Sequence, residues 1–583
     1  MTYHIKMFSE RGEGTYLPFK LPIMFLKDED TYSLPKDVID DLEISPVIHE
    51  KLFFSSNQFG TEIGKEWCKK MTSNVNFLEE TQQVVKNMVH FKEIPKIDTN
   101  VVAEIWEDTK DNKHFLETYH YMDWDALLHL NQSPAFLQLI STVNVLSPLI
   151  SLLIPLVILI LPYFILKFRG LSITFDSYIT VLIDTAKKHF FGKSLHTLEM
   201  GWDKIAYLIV SSGLYLIQFY QNIYTCTQFY HNIMKVNKNI IDFKHYIDII
   251  TKKMELFVEL NNTSTYKDFC LEVQSHLTKL KELSQQLSSI SPFSVDFKKS
   301  NEIGYMLKSY HDIKHHHLYD ISLRYSVGFE GYIDNMSCVF NNIELGHLHF
   351  AIFDIKFKNS IKIKRQFYPP HISNDVIIPN NVELKHNIVV TGPNASGKTT
   401  FLKMTTINII LTQQFGCGFY KKCTLNPYTH IHSYLNIPDT SERDSLFQAE
   451  SRRCKDILDI VENSSVDSRH FCIFDELYSG TNPNEASKAA YSFLVYLSKY
   501  PNVNYLLTTH YTDVCEKLQT FSNSKQKNKR RVSNYMMDVI ENDGAIEYLY
   551  KMVPGISKVQ GAIQIFKEMN YPIEIIDCYR CIV

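Results

Sequence analysis

From Phe53 to about Ile140 apolar residues recur three and four positions apart, as in FLEETQQVVKNMVHF, and this spacing predicts helices. The pattern then breaks. Val145 to Leu166, VLSPLISLLIPLVILILPYFIL, gives 22 consecutive uncharged and mainly apolar residues. At about 1.5 Å per residue such a helix matches the roughly 30 Å hydrocarbon thickness of a bilayer. Pro148, Pro155 and Pro162 recur every seven residues within it. Each interior proline costs about 3 kcal/mol in a soluble helix, whereas membrane helices tolerate them when neighbours satisfy the freed carbonyls. A second stretch, between Lys204 and Lys235, carries no formal charge and is rich in small and aromatic residues, so two transmembrane helices are predicted, at about 145–166 and 205–225.

From Lys235 to about Ser300 charged and apolar residues alternate at helical spacing, as in HLTKLKELSQQL. Beyond Ile343 the period changes. HFAIFDIKF and NIVVTG read as strands, FCIFDE and VNYLLTTH as buried parallel strands, with helical patterns between them. The predicted fold class is therefore α plus α/β: a helical core or lever domain with a transmembrane hairpin, followed by an ABC-like P-loop NTPase domain with a mostly parallel sheet. The predicted organisation is an N-terminal extension (1–50), a helical segment (51–144), the apolar insert (145–234), a second helical segment (235–342) and the α/β domain (343–583).

Composition narrows the function classes. At 583 residues, about three or four folded units are expected. The formal charge of −4 gives no global field toward nucleic acid or acidic lipid, so any such contact is local. The odd, scattered set of eleven cysteines fits a reducing, cytoplasmic-type compartment rather than a disulfide framework. Cys578 and Cys581 form a lone CxxC, too little for a metal clip, and consecutive His315, His316 and His317 fan around a helix rather than converge on one ion. A basic run, KQKNKRR from Lys525 to Arg531, reads first as a solvated loop.

The densest chemistry lies at GPNASGKTT. Gly392, Pro393, Asn394, Ala395, Ser396, Gly397, Lys398, Thr399 and Thr400 follow the strand NIVVT, open a helix, and satisfy G-x-x-x-x-G-K-[ST]. Glycines let backbone N–H groups close around phosphates, Lys398 reaches the β and γ oxygens of ATP, and the Thr399 hydroxyl can ligate Mg²⁺. Asp475 and Glu476 end a second apolar strand 76 residues beyond Thr399. There Asp475 can hold the Mg²⁺ and Glu476 can polarise the attacking water. A third strand brings His510 to the same sheet edge, where it can sense the γ-phosphate or position water.

Many ATPases share these parts. An ABC transporter subunit would show an LSGGQ-like signature before the acidic strand, and none is present. Instead DSLFQAESRRCKDIL resembles the S-T-F-x-x-E-M segment of MutS-type ATPases. DELYSGTNPNEA, TGPNASGKTTFLK, TTHY and YKMVPGISKVQGAIQIFKEMNYPIEII are similar to further MutS segments in the same order. The resemblance implies a composite ATP site completed across a homo- or heterodimer, with Ser445 of one subunit facing the nucleotide of the other. Phe447 and Glu450 would fix the helix carrying it. By motif position Ile377 and Tyr550 would cover the nucleotide base, where the family has a phenylalanine and a histidine.

SSNQFGTEIGKEWCKKMTSNVNFLEETQQVVK resembles the opening of the MutS core domain. Only about 50 residues precede it, fewer than a mismatch-reading domain needs, and Phe77 and Phe115 of the two F-x-E triplets lie on amphipathic helical patterns. Specific mismatch reading is therefore not expected. If both helical segments and the ATPase form one core, they share one side of any membrane, and the chain needs two crossings joined by a loop of about 40 residues. In the family a DNA clamp occupies the place of this hairpin. The expectation is a membrane-associated, MutS-like ATPase acting on duplex DNA in repair or recombination. The alternative is a membrane-organising ATPase in which lipid has replaced DNA.

Overall fold

The computed structural model describes residues 18–583 apart from 55–56, 171–173, 189–201, 295–296, 357–360, 374–376, 436, 438–444, 524–530, 543–544, 560–565, 568 and 583. The basic run at 525–531 thus falls, but for Arg531, outside the described residues. The principal helices are α1 (Gln58–Trp67), α2 (Val75–Asn87), α3 (Pro134–Phe168), α4 (Phe175–Lys188), α5 (Trp202–Asn261), α6 (Lys267–Leu287), α7 (Phe297–His315), α8 (His317–Glu344), α9 (Lys398–Phe415), α10 (Leu446–Asn463), α11 (Pro483–Leu497) and α12 (Thr512–Asn523). The chain divides into two compact units, one holding Ile97–Thr251 and Leu277–Leu323, the other Leu17–Lys96, Lys252–His276 and Arg324–Val583.

The first unit is helical. Ser133 caps α3, accepting a hydrogen bond from the Phe136 amide, and Pro134 occupies the first turn where its missing N–H costs nothing. α3 then runs 35 residues through all three interior prolines, longer than the predicted 145–166. Its apolar side chains are not collected on one covered face. Leu149, Leu153, Val157, Leu161 and Ile165 are exposed, as are Leu146, Ile150, Ile160 and Phe164. Pro134–Leu153 is long and apolar enough to cross a membrane. The second apolar run is not a separate element: it forms the first part of the 60-residue α5. Tyr215 Oη donates to Ser151 O at 3.3 Å and Cys226 Sγ to Val145 O at 3.4 Å, so α5 returns antiparallel to α3. The interval between them, read from sequence as a polar loop, contains α4.

At the other end of this unit Asp108 collects Tyr310 Oη at 2.8 Å, Asn239 Nδ2 at 2.9 Å and Lys235 Nζ at 2.5 Å, joining α5 to α7. Burial works against its charge, and hydrogen bonds from Lys235, Tyr119 and Tyr310 overcome it, holding the carboxyl below the usual range. Gly304 of α7 lies so close to α3 that a Cβ there would meet Pro134 O at 2.3 Å.

The second unit contains every described strand: β1 (Thr31–Ser33), β2 (Lys70–Thr72), β3 (His349–Phe353), β4 (Ile361–Gln366), β5 (Asn380–Glu383), β6 (Asn387–Thr391), β7 (Cys417–Gly418), β8 (Lys422–Leu425), β9 (His430–Tyr434), β10 (His470–Asp475), β11 (Val503–Thr508), β12 (Val532–Asn542) and β13 (Ala545–Pro554). Six form a sheet in the order β13-β12-β6-β11-β10-β9, parallel except for the β12–β13 edge pair. A second sheet has the order β5-β4-β8-β3-β7. β6, β10 and β11 read as continuous apolar runs because both faces are covered. Val389, Cys472, Phe474, Tyr505 and Leu507 meet Ile457, Leu494 and Leu518 of the surrounding helices.

α9 is almost wholly buried, and its polar side chains serve backbone carbonyls. Gln413 Nε2 donates to Thr72 O and Tyr428 O, and Gln414 Nε2 to Trp67 O and Lys70 O. These bonds dock the α1–β2 segment onto the helix that follows the phosphate loop. Gln82 of α2 repeats the arrangement on Ala351 O and Gly416 O. The described part of the stretch that resembles the MutS core opening, 57–86, is therefore part of the α/β unit. Phe77 is fully buried, its ring stacked on Tyr266 at 5.2 Å, and Phe115 is buried too.

Three histidines stack across β9 and β10, His432 Nε2 lying 3.0 Å from His470 Nδ1 and the His430 and His470 rings 4.7 Å apart. Burial keeps all three neutral, lowering His430, His432 well below its usual value, and His470 to about 3. Groups with a depressed folded-state pKa contribute stability that is complete above the unfolded value near 6.5 and is lost as pH falls toward the folded value. The unfolding free energy from urea titrations should therefore fall between pH 7 and pH 4.5, with His470 contributing about 1.4 kcal/mol per pH unit below pH 6. The slope should be smaller in His470→Gln.

Candidate nucleotide site

The parallel pairing brings the C-terminal ends of β6, β10 and β11 to one edge, the position where open α/β sheets bind ligands. β6 delivers the Gly392–Thr400 turn, β10 delivers Asp475 and Glu476, and β11 delivers Thr508, with His510 just beyond. The turn closes tightly. Gly397 has φ +91° and Ala395 φ 61°, in the left-handed region, and Ser396 Oγ donates to Pro393 O at 2.8 Å. A Cβ on Gly392 would lie 2.8 Å from Ser396 Oγ and 3.1 Å from Met537 Cβ.

The predicted catalytic groups meet here. Thr399 Oγ1 donates to Asp475 Oδ2 at 2.8 Å, while Thr508 Oγ1 donates to Asp475 Oδ1. Lys398 Nζ donates to Gly392 O at 3.0 Å and Pro393 O at 3.1 Å. His510 Nε2 lies 3.1 Å from Lys398 Nζ and 3.2 Å from Glu476 Oε1. That nitrogen can donate to the carboxylate or accept from the ammonium, one at a time. Burial lowers Lys398, with Glu476 and Asp475 opposing the shift. The hydrogen bond from His510 holds Glu476 below the usual carboxylate range against its partial burial. Glu476 has φ 49°, a strained backbone for a residue that is not glycine, as often at reactive positions.

A cavity of about 420 Å³ opens over the turn. Asn394, Ala395, Gly397, Lys398, Thr399, Thr400 and Glu476 line its floor, and Ile377 and Tyr550 its wall. Asn380 holds that wall, its Nδ2 donating to Tyr550 O at 2.9 Å and its Oδ1 accepting from Met552 N at 2.8 Å. Phe367, Tyr368 and His371 also line the cavity and were not foreseen; the aromatic cluster FYPPH, shortly before Ile377, is the one sequence signal that could have found them. Among the described residues no group of three or more His, Cys, Asp and Glu side chains can hold a metal. The oxygen pair of Thr399 and Asp475 nevertheless fits Mg²⁺, which is usually held by one or two protein ligands together with phosphates and water.

Ser445 is not brought to this cavity. It caps α10, exposed, in a reciprocal capping box with Gln448. Its helix is nonetheless tied to the loop after Glu476. Buried Glu450 accepts from Ser479 Oγ at 3.0 Å and Gly480 N at 3.2 Å, and the Phe447 ring lies 5.6 Å from that of Tyr478. A second tie was invisible in sequence. Arg453 of α10 donates to Ser433 O at 2.9 Å and pairs with Asp37, while Ser433 Oγ donates to buried Asp41 at 2.6 Å.

With this geometry in place, the similarity to known proteins centres on the C-terminal third. Residues 388–582 match the family model of MutS domain V. The chain is 29% identical over 218 residues to the DNA mismatch repair protein MutS of Parabacteroides distasonis, covering 36% of this chain and 22% of that protein. It is 25% identical over 286 residues to the DNA mismatch repair protein Msh3 of Dictyostelium discoideum, covering 44% and 19%. With Endonuclease MutS2 of Staphylococcus aureus it shares 24% over 249 residues, covering 40% and 32%. The chain thus spans about a fifth to a third of the length of these curated relatives. The match to MutS domain V begins inside β6 and takes in the phosphate turn, Ser445, the acidic pair and His510.

Glu450→Ala should free both Ser479 and Gly480 from their buried acceptor, a loss of about 1–3 kcal/mol measurable as a lower denaturation midpoint. Ser479→Ala, which removes one of the two donors and spares the carboxylate, should cost less.

Proposed function

We propose that this chain is a MutS-type, Mg²⁺-dependent ATPase whose site is completed by a second subunit, and that hydrolysis drives movement of its helical part. The observation that carries the reading is the convergence of Lys398, Thr399, Asp475, Glu476 and His510 at one sheet edge beneath a cavity of nucleotide size. The backbone amides of the 392–400 turn and the start of α9 receive the phosphates of ATP. Lys398, now satisfied by two carbonyls of the turn, exchanges them for phosphate oxygens. Thr399 and Asp475 would hold Mg²⁺, which when bound neutralises developing charge on the phosphoryl oxygens. Glu476 orients the attacking water and accepts its proton, and His510, hydrogen-bonded to that carboxylate, fixes its direction. Ile377, Tyr550 and the neighbouring aromatic residues cover the base.

Exposed Ser445, held at the start of a helix that is clamped by Glu450 and Arg453, supports a role on the nucleotide of a partner subunit, either an identical or a related chain. The mismatch repair names of the relatives support an action on duplex DNA. The uncovered apolar α3 and its antiparallel return support attachment to a lipid membrane, with the ATPase in a reducing compartment. A second reading, a membrane-organising ATPase without DNA, is favoured by the formal charge of −4 and by the burial of both F-x-E phenylalanines.

Mixing two inactive variants tests the composite site. Lys398→Ala disables the phosphate turn, and Ser445→Asp keeps a helix-capping acceptor while repelling phosphate. Each alone should lose turnover, and the mixture should regain a substantial fraction, because one of the two sites in a mixed dimer is intact. No recovery, in a mixture shown to exchange subunits, would exclude action in trans. Duplex binding titrated against salt separates the DNA reading, with affinity falling steeply as salt rises, from the lipid-only reading, with no measurable binding.

A further inference from the structure

The turn of the apolar hairpin is built around a helix. α4 covers Phe175–Lys188, and at 100° per residue Asp176, Ser177, Thr180 and Asp184 fall within one sector of about 100°, while Phe175, Tyr178, Ile179, Val181 and Ile183 occupy the rest. Of the apolar set, Tyr178 is buried, its ring 5.2 Å from Tyr163 of α3, and Phe175 lies 5.3 Å from the same ring. Phe175, Val181 and Ile183 remain 51%, 62% and 46% exposed. An amphipathic helix with an uncovered apolar sector, set at the end of an apolar hairpin, has the pattern of an interfacial helix.

The spacing of aromatic residues along the hairpin fits one partner. At the turn stand Tyr163, Phe164, Phe168, Phe175 and Tyr178; at the opposite end Tyr220 and Tyr224 of α5 lie close in sequence to Cys226, which touches Val145. Eighteen residues of α3 separate Val145 from Tyr163, about 27 Å of helix, close to the roughly 30 Å of a bilayer core. Aromatic residues mark both boundaries of membrane-spanning segments. Beyond the turn-side level Lys167 and Arg169 are exposed, with Lys167 Nζ 5.7 Å from the Tyr163 ring centroid, where long basic side chains reach headgroup phosphates. A groove on another protein would cover one stripe of α3, whereas its exposed apolar residues, from Val145 and Leu152 round to Ile165, take up more than half of the helix circumference.

We propose that α4 lies in the plane of the membrane–water interface at the turn of the hairpin. Phe175, Val181 and Ile183 enter the acyl boundary, Asp176, Thr180 and Asp184 face water, and Lys167 and Arg169 contact phospholipid phosphate. This rests on the membrane reading above and extends it to a named surface and its orientation.

Depth measurement on the full chain tests it. Cys226 and Cys578 are the described cysteines that are not buried, so these and Cys581 are changed to serine, and an environment-sensitive fluorophore is attached singly through Val157→Cys, Val181→Cys or Asp184→Cys. The labelled protein is reconstituted in phosphatidylcholine–phosphatidylglycerol vesicles. The label at 181 should show blue-shifted emission and be quenched several-fold more by spin-labelled lipid carrying its nitroxide near the headgroup than at the chain terminus. The label at 184 should be reached by aqueous iodide, and the label at 157 should be quenched best from the chain terminus. A deep 157 with a fully aqueous 181, or a 181 quenched best from the bilayer centre, would overturn the placement of α4 and leave the membrane reading intact. An aqueous 157 would overturn both.

Discussion

The candidate site depends on one carboxylate. Asp475 ends β10 and accepts hydrogen bonds from Thr399, at the start of α9, and from Thr508, at the end of neighbouring β11. It can do so only because β6, β11 and β10 run parallel and in register, Thr508 pairing with both Val390 and Asp475. Antiparallel pairing or a one-residue slip would carry the acidic pair away from the phosphate turn. The same register places Glu476 and His510 side by side, so the chemistry follows from strand order rather than from any single loop.

Constraints radiate from this edge through buried polar contacts. Gln413 and Gln414 occupy the interior of α9 because their amides satisfy carbonyls of β2, the residue ending α1 and the loop before β9, and removing either would leave buried carbonyls unpaired. Glu450 and Arg453 fix α10 from two sides, one toward the loop after Glu476 and one toward the N-terminal segment through Asp37. The helix that presents Ser445 is thus held relative to the acidic strand although Ser445 itself stands outside the cavity. That arrangement suits a group whose target belongs to another subunit.

What could be read in sequence was local. The phosphate turn depends on glycines, a lysine and a hydroxyl within nine residues, and the acidic pair closes an apolar run, so both are visible as strings. Ile377 and Tyr550 were reachable by motif position, whereas Phe367, Tyr368 and His371 enter the cavity through a turn that no periodicity announces. The glutamines of α9 and the Asp37–Arg453 pair were hidden because their partners lie hundreds of residues away. The two apolar runs were legible as compositions, but not that the second continues into a 60-residue helix, nor that the interval between them holds α4. The amphipathic period of α4 is short and was masked by its lysines.

The central claim, that this sheet edge hydrolyses ATP, is tested most directly by steady-state phosphate release from the full chain with Mg²⁺ and ATP. Lys398 is the group proposed to meet the transferring phosphoryl oxygens, so Lys398→Ala should lower kcat by roughly 10²-fold or more while the denaturation midpoint stays near that of the unaltered protein. Full turnover retained in Lys398→Ala would contradict the account.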